Sequence, residues 1–209
     1  MTAAYKYGYT FLFSGLIVLL FSACGGDKTN TDRLLPEVES VEVSATALEI
    51  ISTETIQFTA VASYSDHSTR NVTSSVTWTV SDITMAFINV NGLLTPRGSG
   101  GELNVTSGYA GYYEKTTVNI VPLISIDVIA ADENMTVNST YQLEAIGYFG
   151  TEEENSSSDI TERVTWTTSD QAIAVVDANG LLYTYTAGSV DVNATLFDVN
   201  GSLELNITE

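Results

Sequence analysis

Hydrophobic and polar positions alternate along most of this chain with a period of two, the pattern of half-buried β-strands. Ile56, Phe58, Ala60, Ala62 and Tyr64 share one face of a run, as do Tyr141, Leu143, Ala145, Gly147 and Phe149 in a later one. Val76, Trp78 and Val80 alternate with Thr77 and Thr79, and Val164 and Trp166 alternate with Thr165 and Thr167. Further short strands are predicted at Val41–Val43, Met85–Ile88, Leu103–Val105 and Thr116–Val121, with counterparts at Ile126–Val128, Ile173–Val176, Val190–Ala194 and Leu203–Thr208. Asn91-Gly92 and Asn179-Gly180 carry a hairpin signal, because both residue types tolerate positive φ. No stretch among these shows a helical period.

The counterparts form a repeat. Trp78 pairs with Trp166 and Asn91 with Asn179, each at an offset of 88 residues (166 − 78, 179 − 91). Upstream the offset is 85 (Gln57 to Gln142), so an insertion of three residues separates the copies. It falls between polar segments 65–70 and 150–158, where a loop tolerates a change of length. A repeat of this size suits a small domain rather than a solenoid turn. The reading is one copy over residues 37–121 and a second over 123–208, each with about seven short strands in an antiparallel β-sandwich. The all-β class follows. Pro122 fixes φ in a very short linker, which predicts a semi-rigid pair. The last strand reaches Thr208, and no further domain is expected.

Residues 1–23 differ in kind. Met1–Thr10 carries Lys6 and no acid, and Phe11–Phe21 is an apolar run of eleven, followed by Ser22, Ala23 and Cys24. Eleven helical residues rise only about 16 Å, too little for a hydrocarbon core of about 30 Å. A basic start, a short apolar middle and small residues before a cut read as a secretory signal peptide. Residues 24–36, rich in Gly, Asp, Thr and Asn, read as a flexible tether. Phe21-Ser22-Ala23-Cys24 resembles the bacterial lipoprotein signal, although Phe21 stands where leucine is usual. That resemblance implies cleavage before Cys24, lipidation of its thiol and a membrane partner through that anchor. Gly25 and Gly26 follow the cysteine, with no aspartate next to Cys24, which by the same resemblance implies the outer membrane of the cell envelope. The plainer alternative is an ordinary signal peptide with an incidental cysteine.

Charge narrows the partners. The chain has 26 Asp+Glu against 7 Lys+Arg, a net charge of −19, which argues against nucleic acid or a bare anionic lipid surface as a partner. Cys24 is the single cysteine, so no intrachain disulfide forms, and with one histidine, His67, an ordinary Cys/His zinc site has no ligand set.

Few residues invite chemistry, and no enzyme and no cofactor is expected. His67 sits between Asp66 and Ser68, but adjacent residues do not make a triad, which needs groups converging from separate elements. Glu152, Glu153, Glu154 and Asp159 offer hard oxygen ligands for Ca²⁺, yet without the spacing of a calcium loop they read equally as a solvated acidic segment, and no metal site is assigned. Tyr109, Tyr112 and Tyr113 fall in Ser107–Glu114, read as a loop. Exposed Tyr beside Gly suits contact with surface proteins or glycans; the alternative places them on flanking strands. N-x-[ST] sequons, among them Asn71, Asn104, Asn134, Asn138, Asn155, Asn193 and Asn206, reflect Asn/Thr-rich strands and loops if the chain carries a bacterial lipoprotein signal. Trp78 and Trp166 share faces with valines and are expected as core anchors. Burying one Trp removes about 150–250 Å² from water, roughly 4–6 kcal/mol as an upper bound at about 25 cal/mol/Å².

The order of alternating strand, V-T-W-T-x-S-D, apolar run, N-G-L-L and glycine-led strand is similar to the bacterial immunoglobulin-like domains of group 2, over about residues 37–121 and 123–208. Gly98–Gly101 of the first copy departs from the second by one extra residue. The resemblance implies Ig-like sandwiches of the kind found in surface adhesins, in invasin- and intimin-like proteins, and as spacers in cell-surface enzymes. Two functions stay open: an adhesion or surface-interaction module, and a structural spacer or envelope-assembly component with no ligand of its own.

Overall fold

The computed structural model describes residues 35–132, 134–151 and 153–209. The leader (1–23), Cys24, most of the expected tether and Glu152 lie outside the described residues. Nine strands make the first half: β1 (Val38–Ala45), β2 (Glu49–Ile51), β3 (Ile56–Tyr64), β4 (Thr69–Asn71), β5 (Thr77–Val80), β6 (Ala86–Ile88), β7 (Leu93–Pro96), β8 (Gly101–Tyr109) and β9 (Tyr112–Val121). Nine more repeat them: β10 (Leu123–Ala130), β11 (Asn134–Thr136), β12 (Thr140–Gly150), β13 (Asn155–Asp159), β14 (Thr165–Thr168), β15 (Ala174–Val176), β16 (Leu181–Thr184), β17 (Gly188–Leu196) and β18 (Val199–Thr208). Each half is a two-sheet sandwich. One sheet runs β1-β3-β7-β6 with β4 also on β3, and the other β2-β9-β8-β5; the second half repeats both orders as β10-β12-β16-β15 with β13, and β11-β18-β17-β14. Even the irregularities recur: β1 slips register on β3 between Val38 and Ser40, and β10 slips on β12 between Leu123 and Ser125.

Two features depart from the sequence expectation. Each copy has nine strands rather than seven, because β2 and β4, like β11 and β13, are short pieces along the edges. And the sandwiches are not wholly antiparallel. After β1 the chain crosses to the opposite sheet and β2 pairs in parallel with β9, Glu49 opposite Asn119; β11 pairs in parallel with β18 in the same way. No reversal separates β1 from β2, so the crossing segment meets the last strand running in the same direction and covers its open edge.

The Asn-Gly turns also differ from a two-residue hairpin. Only glycine takes positive φ there, Gly92 at 76° and Gly180 at 78°. Asn89 and Asp177 open the turns, each side chain accepting two backbone N–H groups, from Asn91 and Leu93 or from Asn179 and Leu181. The result is a four-residue turn closed by glycine. A Cβ at Gly92 would lie 2.5 Å from the Phe58 carbonyl oxygen, so glycine is required for the close approach as well as the dihedral.

Both indoles stand between the sheets. Trp166 is 8% exposed within one continuous core that includes Leu143, Phe149, Ile160 and Leu205. Trp78 is half-buried and packs against two smaller clusters of the first copy, one around Phe58 and Leu103, the other around Ala60, Ala62 and Tyr64. Its ring lies 5.7 Å from that of Phe58, tilted by 51°. Each indole N–H donates to a carbonyl five residues back: Trp78 to Thr73 at 2.9 Å, Trp166 to Thr161 at 3.0 Å. That tight turn is itself held. The Thr73 and Thr161 hydroxyls accept the Ala60 and Ala145 N–H groups, both at 2.9 Å, and the side chains of Asn71 and Asp159 accept the Thr73 and Thr161 N–H groups. The inserted residues of the second copy lengthen the hairpin before Asp159, so part of the predicted loop is strand β13.

Trp166→Ala is expected to cost about 3–5 kcal/mol in chemical denaturation, and Trp78→Ala less, because its ring is only half withdrawn from water. Asp159→Asn gives the second copy the turn residue of the first. The Asp159 carboxyl is held below its ordinary value of 3.8 by the Thr161 hydroxyl and then the Thr161 N–H. A carboxylate lowered on folding contributes stability above the unfolded value and loses it as pH falls through the folded one. The stability difference between wild type and Asp159→Asn should therefore hold steady from neutral pH to about 4 and shrink below it. Equal differences at neutral and strongly acid pH in urea titrations would contradict this.

Candidate functional site

The three tyrosines lie on strands, not in a loop. The β8–β9 hairpin turns at Ala110 and Gly111, with φ of 49° and 87°, a two-residue turn with both positions left-handed. Tyr109 therefore pairs with Tyr112, and Gly108 with Tyr113. Period-two alternation then separates the three. Tyr109 meets Tyr64, hydroxyl to hydroxyl at 3.3 Å, and this hydrogen bond raises the Tyr109 phenol above its ordinary range. Arg70 stacks its guanidinium 4.7 Å over the Tyr64 ring. The Tyr112 hydroxyl donates to the Val38 and Glu39 carbonyls, at 3.2 and 2.9 Å, and so fastens the start of β1 where its register slips. Tyr113 alone is free to meet a partner, at 80% exposed. A Cβ on Gly108 would stand 2.9 Å from its ring, so the ring lies against the bare backbone of the facing strand. Leu196, Val199 and Asn200 occupy the matching positions of the second copy.

The other candidates do not converge. His67 occupies a left-handed turn position, φ 65°, and its N–H donates to the Tyr64 carbonyl. Asp66 accepts from the Ser68 hydroxyl at 2.6 Å and the Ser68 N–H at 3.0 Å, which holds its carboxyl below the ordinary value. The carboxylate thus serves a turn and orients no imidazole. Asp159 is likewise committed to Thr161, Glu153 and Glu154 are exposed, and among the described residues no three acidic, His or Cys side chains gather in one place.

A shallow polar cleft recurs beside each Asn-Gly turn. Gln57, Thr59, Asn71, Thr73, Ser74 and Asn91 line the first; Gln142, Glu144, Asp159, Thr161, Glu162 and Asn179 are among those lining the second. Its floor is structural. The Gln57 amide donates to the Phe58 and Asn91 carbonyls, and the Gln142 amide to those of Leu143 and Asn179, which ties the turn to the adjacent strand. The sequence shows both glutamines only as a recurrence at an offset of 85 residues (142 − 57), which gives no sign of the turn that each holds. Among the described residues, every side-chain nitrogen or oxygen withdrawn from solvent has a hydrogen-bond partner.

What solvent does meet is a set of polar strand faces. In the first copy Thr77 and Thr79 of β5, Asn104 and Thr106 of β8 and Thr117 of β9 share the outer face, where the Thr117 hydroxyl donates to the Asn104 amide oxygen at 2.8 Å. The second copy presents Thr165, Thr167, Asn193, Thr195 and Ser202 in the same rows.

Parts of this chain are similar to known proteins. Ice-binding protein 1 of Shewanella frigidimarina is 31% identical over 171 residues, which cover 81% of this chain and 19% of that protein, so the chain spans about a fifth of its relative. Among solved structures, domains 5–6 of the S-layer protein SbsC align over 84% of this chain and 99% of theirs at 18% identity, with a TM-score of 0.35. The Yersinia pseudotuberculosis adhesin InvE aligns over 85% of this chain and 61% of its own at 12% identity, with a TM-score of 0.33. The family model for the bacterial Ig-like domain (group 2) matches residues 125–207, the span from β10 to the end of β18. It is thus the second copy, residues 125–207, that matches the bacterial Ig-like (group 2) family.

Proposed function

We propose that the chain is a lipid-anchored module of the bacterial cell envelope, attached through Cys24 and a tether over residues 24–36, whose work is adhesion or interaction at the cell surface. It is not an enzyme. The observation that carries this reading is where the polar groups are spent. Buried ones are used internally, and the exposed ones include rows of Thr, Ser and Asn, flanked by Glu102 and Lys115 in the first copy and by Asp191 and Glu204 in the second, with Tyr113 at one end. Such faces suit contact with another surface, protein or glycan, better than enclosure of a small molecule. Ice, for which the Shewanella relative is named, fits less well. Neighbouring strands rotate by roughly 20–25°, and a planar lattice does not follow that twist.

A second reading, a spacer with no ligand of its own, is favoured by the way the two halves join. Only Pro122 separates β9 from β10, and the Leu123 N–H donates to the buried Ser52 hydroxyl at 3.1 Å.

The two readings part on one measurement. Beads carrying residues 37–209 should be retained on envelope preparations or glycan arrays if the chain makes surface contacts; bare-bead levels on all of them would leave the spacer. Anchoring is tested separately. Several acyl chains at about 0.8 kcal/mol per buried CH₂ hold a protein stably at a membrane. Cys24→Ser should therefore move the chain from the membrane to the soluble fraction, and a variant that still pellets with membranes would refute the anchor.

A further inference from the structure

The two copies are built alike, yet where they meet their residues are unlike. In the first copy the β7–β8 connection is Gly98-Ser99-Gly100-Gly101, one residue longer than its counterpart in the second. The structure gives those glycines neighbours from the rest of the chain. A Cβ on Gly98 would lie 2.6 Å from Cγ of Phe197, and a Cβ on Gly100 would lie 2.4 Å from Cδ of Pro122. Phe197 stands in the β17–β18 hairpin, at the place that Ala110 holds in the first copy (197 − 110 = 87). Both residues take left-handed φ, 53° and 49°. An alanine does so at modest cost; for a bulky aromatic residue this backbone is unfavourable and persists where surrounding contacts hold it.

Three more contacts close the same gap. The Arg163 guanidinium donates to the Thr53 carbonyl from the position that is Ser75 in the first copy (163 − 75 = 88). Ser52, 2% exposed, donates its N–H to the Val121 carbonyl at 2.8 Å while its hydroxyl accepts the Leu123 N–H. The second copy makes the first of these bonds too, Val137 N–H to Thr208 at 2.9 Å, but a valine has no hydroxyl for the other. Ile51 of the first copy packs against the core of the second.

We infer that the Ile51–Thr53 and Gly98–Gly101 segments of the first copy form a receptor for the second copy, which enters it with Phe197 and Arg163 beside the linker Pro122 and fixes the two sandwiches as one rigid body. The copies are therefore not interchangeable: the receptor belongs to the first and the inserted groups to the second. This stands on the junction alone and holds whether or not the chain binds a ligand.

The test uses the mature chain from residue 24, made soluble by Cys24→Ser. Residual dipolar couplings from both halves should fit a single alignment tensor. In Phe197→Gly combined with Arg163→Ala they should require two, while chemical shifts away from the junction stay in place. Both side chains reach solvent, so neither sandwich depends on them for its core. Gly100→Ala, at a position without positive φ, attacks the junction from the first copy through Pro122 and should also split the tensor, so a folding defect in one variant leaves the other to decide. Two tensors in the unaltered junction, or one tensor surviving in the variants, would overturn the inference.

Discussion

The structure depends on a large ring wedged between two sheets that no covalent bond holds together. With a single cysteine in the chain, each sandwich relies on apolar burial to close. Trp166 is buried in its core and Trp78 half-buried against two clusters, and an indole withdrawn from water needs an acceptor for its N–H. Thr73 and Thr161 present their carbonyls for this purpose. Those carbonyls point inward because the turn that bears them is tied from both sides, by a hydroxyl to β3 or β12 and by an Asn or Asp side chain at its start. The same short segment thus positions the ring, satisfies it and links it to the opposite sheet.

Much of this was legible in the sequence because it recurs. The spacing of the two V-T-W-T-x-S-D stretches fixed the repeat unit, and alternation placed each Trp with its valines. What was missed has no apolar periodicity to read. Strand β13 is Asn-Ser-Ser-Ser-Asp, and its residues form strand through backbone pairing with β12 rather than through burial. β2 and β11 are three residues each, too short to show a period, and their parallel pairing is set by a partner some seventy residues away. The tyrosines were misplaced for a related reason. Ala110-Gly111 lacks the Asn-Gly signature of a tight turn, so the segment read as a loop; once the turn is two residues long, Tyr109 and Tyr112 are facing partners and Tyr113 lies on the other side of the sheet.

The cores show how a repeat diverges while its frame is kept. The second copy places Leu123, Phe149 and Ile160 where the first has Val38, Tyr64 and Val72. Larger apolar groups give the second copy a single continuous core around Trp166. In the first copy a phenol occupies that end, its hydroxyl draws in Tyr109, and the core separates into two clusters with Trp78 between them. A polar hydroxyl needs a partner when it is withdrawn from water, so one Phe-to-Tyr difference brings a second tyrosine with it.

The junction extends this divergence to the relation between the copies. A repeat whose units acted independently would place no special demand on the residues between them. Here Gly98 and Gly100 are bare where side chains would collide with Phe197 and Pro122, Ser52 carries the hydroxyl that Val137 lacks, and Phe197 holds a backbone conformation that its own hairpin does not require of a large residue. Each is a local departure whose counterpart lies in the other copy. Departures of this paired kind arise when two surfaces fit each other, and they make the one-residue connection at Pro122 a seam rather than a hinge. Two sandwiches joined this way transmit orientation along their length, so a contact made at any face of the second is held in fixed register with the first.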